Sequence, residues 1–238
     1  MQMEVNMEQL EMMYEGKAKK VYRTDDEDLL IVDYKDDATA KKGTIVGKGV
    51  VNNRMSNYLC QILEEKGVPT HFVKELDERR TLVKKVEIVP LEVIIRNKAA
   101  GSFSKRYGVE EGTPLKCSTL EFSYKNDDLG DPLMNSYMAL ALDLATKEEI
   151  DTISEMAFKV NEVLKEVFAG VGIELIDFKL EFGRYHGQII LADEISPDTC
   201  RYWDMKTHDH LDKDRFRRDL GDAEGAYQEV YRRLGLDK

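Results

Sequence analysis

The run IDFKLEF, Ile176–Phe182, alternates apolar and charged residues, as a half-buried β-strand does. Its charged register holds Asp177, Lys179 and Glu181, which are two carboxylates on either side of an ammonium group. Carboxylates are ligands for a hard cation such as magnesium, and a lysine can bind phosphate as a point charge. The same pattern also describes a solvent-exposed row of mutually screened charges. From these residues alone, an active-site floor and a solvated sheet surface both stay open.

The next strand pattern would bring a further acid to Asp177. The turn-rich connection Gly183–Gly187 leads into apolar residues that end at Glu194, so we predict a β-hairpin. With a three-residue loop Asp177 lies opposite Asp193, and with a two-residue loop it lies opposite Glu194. Like charges opposed across a sheet repel each other unless a cation separates them. We therefore predict a magnesium site on this hairpin, with Lys179 directed toward a bound phosphate.

Three further segments place charged residues in predicted loops or at strand ends, where sites are usually built. GKAKK puts Lys17 and Lys19 after a glycine, where they could cover a polyphosphate, although a solvated basic strand is the simpler interpretation. IIRNKAAGS ends a strand at Arg96 and could start a helix at Ser102, which suits either a phosphate monoester or an ordinary helix cap. ADEISPDTCRYWD adds Arg201 and two further acids beyond the hairpin.

The elements that must position these residues come in blocks rather than in strict βαβ alternation, which favours an α+β fold with antiparallel sheets. Besides the hairpin, predicted strands cover Tyr14–Arg23, Leu29–Tyr34, His71–Lys74, Arg80–Val86 and Leu91–Arg96. Predicted helices cover Val50–Lys66, the apolar stripe from Ile150 to Phe168 after a capping box at Thr146 and Glu149, and Lys213–Leu234. We expect two lobes, residues 1–89 and 90–238, with a cleft between them.

Composition narrows the functional class. The 238 residues carry a formal net charge of −11, which argues against a general nucleic-acid or anionic-membrane surface. No apolar run approaches the roughly 20 residues needed to cross a bilayer, and the first residues lack a signal-peptide pattern, so we expect a cytoplasmic protein. The three cysteines are far apart in the sequence, which favours free thiols over a disulfide framework or a zinc site.

Six motifs in order resemble the SAICAR synthetase (phosphoribosylaminoimidazole-succinocarboxamide synthase) family of purine biosynthesis. They are GKAKKVY, VVNN, VPLEVIIRNKAAGS, YKNDDLGDPL, DFKLEFG and DEISPDTCRYWD, and the similarity runs from about Tyr14 to Leu234. The resemblance implies a two-lobe, kinase-like and ATP-grasp-related fold with ATP and Mg2+ in the cleft. It implies a ligase that joins the carboxylate of CAIR to the amino group of L-aspartate, giving SAICAR, ADP and phosphate through an acyl phosphate. A homodimer is also implied.

The resemblance assigns roles to the residues that match the family motifs. ATP would be bound by Lys17, Ala18, Lys19, Val21, Leu30, Lys84, Ile88, Lys179, Glu181 and Asp193. Magnesium would be held by Asp131, Glu181 and Asp193, with Asp193 as the principal ligand. The substrate phosphate would be held by Arg96, Ser102 and Arg201, with Asp177 near the CAIR base. The catalytic groups would be Lys125, Asp177 and Lys179.

The chain departs from the family pattern at one place, and two other functional classes stay open. Many relatives carry a carboxylate before GKG that can join the metal site, whereas AKKGTIVGKG, residues 40–49, offers none. That ligand is either missing or supplied by water or another loop. A kinase would share the ATP cleft, but the sequence has neither an HRD nor a DFG motif. A non-catalytic nucleotide-binding module would explain the presence of Lys17 and Lys19, and it would not require Asp193 and Arg201 to lie in the same site. No motif indicates the aspartate pocket.

Overall fold

The structure is a computed structural model that describes residues 7–38 and 43–238. Its strands are β1 (Gln9–Glu15), β2 (Lys19–Thr24), β3 (Leu29–Tyr34), β4 (Asp37–Ala38), β5 (Gly43–Thr44), β6 (Phe72–Glu75), β7 (Arg80–Lys84), β8 (Glu87–Ile88), β9 (Leu91–Lys98), β10 (Pro114–Tyr124), β11 (Leu133–Met134), β12 (Ile173–Tyr185), β13 (Gln188–Ala192) and β14 (Cys200–Asp204). Its helices are α1 (Lys48–Glu65), α2 (Gly101–Tyr107), α3 (Ser136–Ala141), α4 (Lys147–Ala169), α5 (Asp214–Arg217) and α6 (Ala223–Arg233).

Two antiparallel sheets dominate the described residues. The smaller sheet has the strand order β1-β2-β3-β7-β6, and the larger has the order β11-β10-β9-β12-β13, with β14 and β8 also pairing with β12. Strands β4 and β5 pair with each other. Helices packed on antiparallel sheets confirm the predicted α+β class. The boundary between residues 89 and 90 stays a prediction, although the smaller sheet ends at Lys84 and the larger begins at Glu87.

Strand β12 is the central element of the larger sheet. It pairs antiparallel with β9 over Asp177–Leu180, with β14 along its first half and with β13 along its second half. Phe178, Leu180 and Phe182 are buried in the main core, as the alternation predicts, whereas Ile176, beside a register shift in the pairing with β14, is buried in a separate cluster with Ala100 and Trp203. The charged side chains between these apolar residues, Asp177, Lys179 and Glu181, line the cavities on the other face of the strand.

Helix α4 covers the core side of this sheet. It begins at the predicted capping box, because the Thr146 hydroxyl accepts the Glu149 N–H at 3.1 Å and the Glu149 carboxylate accepts the Thr146 N–H at 3.2 Å. Its apolar stripe is buried at Ile153, Ala157, Val160 and Leu164. Helix α1 contributes to the same core, and its observed bounds lie within two residues of the predicted Val50–Lys66.

Two elements that were predicted to be continuous are each divided in the structure, so those predictions were wrong. The predicted strand Tyr14–Arg23 is broken where the Gly16 N–H donates to the Lys19 carbonyl at 2.8 Å, so β1 folds back onto β2. The predicted terminal helix Lys213–Leu234 is divided into α5 and α6. Gly221 and Asp222, with φ of 77° and 45°, adopt left-handed conformations that a helix cannot contain. No helix within residues 7–38 and 43–238 is both long and apolar enough to span a membrane.

Candidate active site

The charged register of β12 is buried rather than solvated. Asp177 and Glu181 are only 3% and 4% exposed, and Lys179 is half-buried. A solvated row of screened charges would leave these side chains in water, so that interpretation is excluded. Burying charges is costly unless each has a partner, and the structure supplies partners from four neighbouring elements.

Lys179 connects three carboxylates. Its Nζ lies 2.6 Å from Glu181 Oε1, 3.2 Å from Glu92 Oε1 and 3.6 Å from Asp193 Oδ2. Burial alone would lower the pKa of Lys179, but the charges of Asp193, Glu181 and Glu92 outweigh it and hold the pKa well above its usual range. Burial and the nearby charge of Asp193 raise the pKa of Glu181. The lysine therefore stays protonated and reduces the repulsion between acids that share its ammonium group.

Asp193 is placed at the end of the hairpin rather than across from Asp177. The turn is His186–Gly187, so Tyr185 pairs with Gln188 and Glu181 pairs with Ala192. Both predicted registers, Asp177 opposite Asp193 and Asp177 opposite Glu194, were therefore wrong. The strand continued further into the turn than the glycine at position 183 suggested. The acid that approaches Asp193 is Glu181, through Lys179.

Lys19 is the second partner of Asp193. Its ammonium group donates to Asp193 Oδ1 from the smaller sheet, which ties the two sheets together across the cleft. Burial would raise the pKa of Asp193, but the charges of Lys19 and Lys179 hold it far below its usual range. Asp193 is therefore a carboxylate at neutral pH.

Asp177 lies between two arginines. Arg96 Nη1 on β9 donates to Asp177 Oδ2 at 2.8 Å, and Arg201 Nη1 on β14 donates to Oδ1 and Oδ2 at 3.1 and 3.0 Å. Arg96 Nη2 also donates to Ser102 Oγ at 3.0 Å, and Arg201 Nε donates to Asp214 Oδ2 at 2.8 Å. The structure thus brings together the three residues predicted to hold a phosphate, with Asp177 between the two guanidinium groups.

Two cavities open on these groups. The first, the inter-sheet cavity, has a volume of about 450 Å³. Its lining includes these residues of the predicted nucleotide set: Lys17, Ala18, Lys19, Val21, Leu30, Lys84, Ile88, Lys179, Glu181 and Asp193. Aliphatic side chains line part of it, and its charged end is the part around Lys179, whose ammonium group lies near Glu181 and Asp193. Such a cavity suits a ligand with a flat apolar ring system and an anionic tail.

The second, the arginine cavity, has a volume of about 390 Å³. Arg96, Ser102, Asp177 and Arg201 line it, and this arrangement suits a phosphorylated ligand. The two cavities share five lining residues: Lys17, Ala18, Glu92, Lys179 and Glu194. Ligands in the two cavities would therefore meet beside Lys179.

The loop before β11 supplies the remaining predicted residues. Lys125 Nζ lies 3.0 Å from Glu181 Oε1, and Lys125 and Asp131 both line the inter-sheet cavity. The Asp131 carboxylate also accepts the N–H of Asn126 at 2.8 Å, which closes this loop. Lys17 Nζ reaches across to Asp127 at 3.0 Å on the exposed rim of the cavity.

The carboxylates at the charged end of the inter-sheet cavity fit a magnesium ion. Glu181 and Asp193 supply hard oxygen donors and contact the same ammonium group, that of Lys179. Asp36, which contacts the 41–49 segment, is not available for this purpose. Asp36 accepts the N–H groups of Gly47 and Gly49 and pairs with Arg79. Residues 41 and 42 of that segment lie outside the described residues.

A second group of possible metal ligands consists of His210, Asp212 and Asp214. The carboxylate oxygens of this group already bind protein groups. Asp214 pairs with Arg201 and Arg217, and Asp212 accepts two backbone N–H groups at 2.8 Å. This group positions Arg201 and the chain around it.

Four charged groups at the cavities were given no binding or catalytic role from the sequence. Glu92 and Glu194 line both cavities, and Lys48 pairs at 2.5 Å with Asp198, which lines the arginine cavity. Lys48 and Asp198 stand in the quoted motifs GKG and DEISPD, where a charge flanked by glycine or proline was a usable signal. Burial raises the pKa of Glu194 to about 7, against the opposing charge of Lys19.

Comparison with known proteins places this chain in one family. The family model for SAICAR synthetase matches residues 12–234. The phosphoribosylaminoimidazole-succinocarboxamide synthase of Lachnoclostridium phytofermentans is 71% identical over 97% of this chain and 100% of its own length. That of Thermoanaerobacter sp. strain X514 is 61% identical over 96% of this chain and 99% of its own.

Solved structures agree with this assignment. The crystal structure of the Ehrlichia chaffeensis phosphoribosylaminoimidazole-succinocarboxamide synthase has a TM-score of 0.92 and 46% identity, covering 94% of this chain and 98% of that one. A SAICAR synthetase in complex with ADP has a TM-score of 0.91 and 50% identity, covering 94% and 97%. The chain therefore belongs to the SAICAR synthetase family.

Proposed function

We propose that the protein joins the carboxylate of CAIR to the amino group of L-aspartate at the expense of ATP, giving SAICAR, ADP and phosphate in purine biosynthesis. The observation that supports this most is the meeting of the two cavities at Lys179. One cavity suits a nucleotide and the other suits a phosphorylated ribose, so the ATP γ-phosphoryl group and a substrate carboxylate would meet at their junction. Membership of the SAICAR synthetase family supports the choice of substrates.

ATP would lie in the inter-sheet cavity. Val21, Leu30 and Ile88 would contact the adenine ring, and Lys84 would lie at its edge. Lys17, Ala18 and Lys19, on the turn between β1 and β2 and at the start of β2, would cover the phosphates. A relative that is 50% identical was solved in complex with ADP, which supports nucleotide binding by this chain.

CAIR would lie in the arginine cavity. Arg96, Ser102 and Arg201 would bind its phosphate, and Asp177 would approach its base. Each charge-assisted hydrogen bond to phosphate contributes about 1.5–3 kcal/mol. Because both guanidinium groups are already held by buried acids, they are pre-organised for this contact and lose little freedom on binding.

The reaction needs an activated carboxylate, because oxide is too poor a leaving group for direct amide formation. A CAIR carboxylate oxygen attacks the γ-phosphorus, and the bond to the β,γ-bridging oxygen breaks to release ADP. The aspartate ammonium group first loses one proton, the neutral amine attacks the acyl carbon of this acyl phosphate and loses a second proton, and inorganic phosphate leaves with the electron pair of the C–O bond, so that the amide keeps one N–H. Lys179 and Lys125 would neutralise charge on the transferred group. Magnesium held by Glu181 and Asp193, with Asp131 nearby, would neutralise negative charge on the ATP phosphates.

The test is an ADP-release assay in which ATP, CAIR, L-aspartate and magnesium are omitted in turn. We expect stoichiometric ADP, phosphate and SAICAR only when all four are present. Accumulation of a stable phosphorylated product would instead indicate a kinase. Nucleotide binding by calorimetry without any turnover would indicate a non-catalytic nucleotide-binding module.

We also propose that the enzyme is a cytoplasmic homodimer that binds neither nucleic acid nor membranes. Its formal net charge of −11 and its family support these assignments. Sedimentation equilibrium at micromolar concentration would give twice the 27.4 kDa chain mass, and a monomer mass would contradict the dimer.

A further inference from the structure

Glu121 on β10 is a buried acid that lies beside the arginine cavity without lining it. One oxygen of its carboxylate accepts Arg96 Nε, and the other accepts Arg106 Nη2. Its side chain is only 9% exposed, and it borders neither the arginine cavity nor the inter-sheet cavity. Burying a carboxylate is costly unless its partners compensate it, so the two arginines define what Glu121 does.

The strand register places Glu121 next to Arg96. Glu121 is paired with Ile94 across β10 and β9. Paired residues of an antiparallel sheet share a face, and so do residues two positions apart on one strand. Ile94 and Arg96 both line the arginine cavity, so Glu121 reaches the guanidinium group from the same face of the sheet.

The contacts of Arg96 leave one N–H group for a ligand. Nε donates to Glu121, Nη1 donates to Asp177 Oδ2 at 2.8 Å and to the Ala100 carbonyl at 3.4 Å, and Nη2 donates to Ser102 Oγ at 3.0 Å. A guanidinium group has five N–H donors, so within the described part of the chain one donor of Nη2 has no acceptor. The Ser102 oxygen accepts from Arg96, so its own O–H can donate to the same ligand.

Helix α2 is held to the sheet through the same acid. Ser102 and Arg106 are four residues apart in α2, so their side chains share a face of the helix. Ser102 contacts Arg96 on β9, and Arg106 contacts Glu121 on β10. Glu121 therefore fixes the guanidinium group of Arg96 directly and the hydroxyl of Ser102 through the helix.

These contacts continue into the cavity as a row of alternating charges. Arg106, Glu121, Arg96, Asp177 and Arg201 follow one another, each joined to the next by a hydrogen bond between opposite charges. Two guanidinium groups that bind one phosphate stand close together and repel each other. The acids on both sides of Arg96 offset this repulsion, so the arginines keep their places before a phosphate binds.

We propose that Glu121 is a positioning residue for the substrate phosphate, holding Arg96 and Ser102 in the geometry that binds a phosphate monoester. The identity of that monoester, CAIR, rests on the proposed function. Glu121 would touch neither the phosphate nor the reacting atoms. It would set the affinity for the phosphorylated substrate and leave the later chemistry alone.

Position and charge predict opposite results for replacement of Glu121. If only its negative charge mattered, removing it would strengthen the binding of an anion nearby. If it acts by holding Arg96 and Arg106, removing it weakens that binding. The amide of Glu121→Gln can accept from one guanidinium group only, because its NH2 group would face the donors of the other. Loss of Arg106 weakens phosphate binding on either account, so the two variants together separate the explanations.

The test measures steady-state kinetics in Glu121→Gln, Arg106→Gln and a control, Glu174→Gln. Glu174 pairs with Lys98 on the same strand β9 at 2.7 Å and lines neither cavity. We expect Glu121→Gln to raise the KM for CAIR by about 10- to 100-fold, the effect of one charge-assisted hydrogen bond that is lost or misdirected. The kcat and the KM values for ATP and aspartate should stay within about twofold. Glu174→Gln should match the wild type throughout.

Two partial ligands show whether the loss concerns the phosphate. Ribose 5-phosphate carries the phosphate without the base, and the unphosphorylated riboside of CAIR carries the base without the phosphate. By calorimetry, we expect Glu121→Gln to weaken the binding of ribose 5-phosphate by the same factor as the CAIR KM. Binding of the riboside should be unchanged. A role in stability alone would not separate the two ligands.

Three results would overturn the proposal. They are an unchanged or lower CAIR KM in Glu121→Gln, equal weakening of ribose 5-phosphate and riboside, and wild-type affinity for ribose 5-phosphate in Arg106→Gln. The last holds even where Glu121→Gln does not fold, since the Arg106 side chain is 34% exposed and its replacement should be tolerated. Failure of the proposed function is distinguishable, because the wild type would then form no SAICAR, whereas calorimetry with ribose 5-phosphate does not depend on turnover.

Discussion

Replacement of Asp193 by asparagine removes one negative charge from the cleft with little change in shape. Asp193 has a φ of 60°, and asparagine is one of the few residues that adopt this left-handed conformation readily. The backbone should therefore keep its path after the hairpin. The side chain contacts Lys19 and lies 3.6 Å from Lys179 Nζ, so the change leaves two ammonium groups with one acid fewer.

The cost to stability should be modest. Breaking a fully buried ion pair costs about 3–5 kcal/mol. Lys179 keeps Glu181 and Glu92, and the side chains of Lys19 and Lys179 are 20% and 28% exposed, so water can solvate part of the uncompensated charge. We expect a loss of about 1–2 kcal/mol in the free energy of unfolding, since several partners remain. For a chain of this length that lowers the melting temperature by roughly 2–8 °C.

The effect on turnover should be much larger. A pre-organised group that stabilises transferred charge contributes about 100- to 1,000-fold to kcat. We therefore expect Asp193→Asn to lose at least about 100-fold in SAICAR formation at saturating ATP and magnesium, while remaining folded by circular dichroism. The control is Asp151→Asn, which removes a carboxylate paired with Lys147 on the surface of α4 and should change neither quantity measurably. Wild-type turnover in Asp193→Asn would remove this carboxylate from the site, and unfolding at 25 °C would show that its role is structural.

Three further predictions concern other parts of the molecule. A Cβ at Gly101 would lie 2.3 Å from Arg201 Nη2, so Gly101→Ala should displace that guanidinium group. We expect the KM for CAIR to rise about tenfold and the KM for ATP to stay unchanged; a CAIR KM equal to that of the wild type would contradict the placement of Arg201. Thr146→Ala removes the capping box of α4 and should lower the free energy of unfolding, measured by chemical denaturation, by about 1 kcal/mol. The kcat and KM values should stay those of the wild type, and a change in them would contradict a purely local role. Cys117 is exposed, whereas Cys60 and Cys200 are buried and burial raises their pKa to about 12. A thiol reagent should therefore label only Cys117 in the native protein and all three cysteines in denaturant, as measured by mass spectrometry.

Patterns within short stretches of the sequence correctly predicted the two long helices. Helix α4 followed from a capping box at Thr146 and an apolar stripe, and α1 followed from its own stripe. Both signals depend on contacts between residues three or four positions apart, which the sequence displays directly. The break between α5 and α6 was not predicted: Gly221 only weakened the predicted helix, and the left-handed backbone of Asp222 has no signal in the sequence pattern.

The site was predicted less completely, because its members come from distant segments. The motifs identified Lys19, Lys179 and Asp193, and the structure brings these three together. Glu194 was considered only as a possible partner of Asp177 across the hairpin, because a single glutamate beside an aspartate has no distinguishing pattern. Its importance comes from burial and from its position between two cavities, which depend on the packing of both sheets.

The sequence by itself determined which side chains share a face of β12, because successive residues of a strand point to opposite sides whatever the strand pairs with. Only the tertiary structure decided the partners of those side chains. Asp177 faces Arg96 and Arg201, which are 81 and 24 residues away, and the predicted opposition of Asp177 and Asp193 does not occur. Register between strands depends on the length of the turn and on burial of the whole sheet, and neither is contained in the alternation of a single strand.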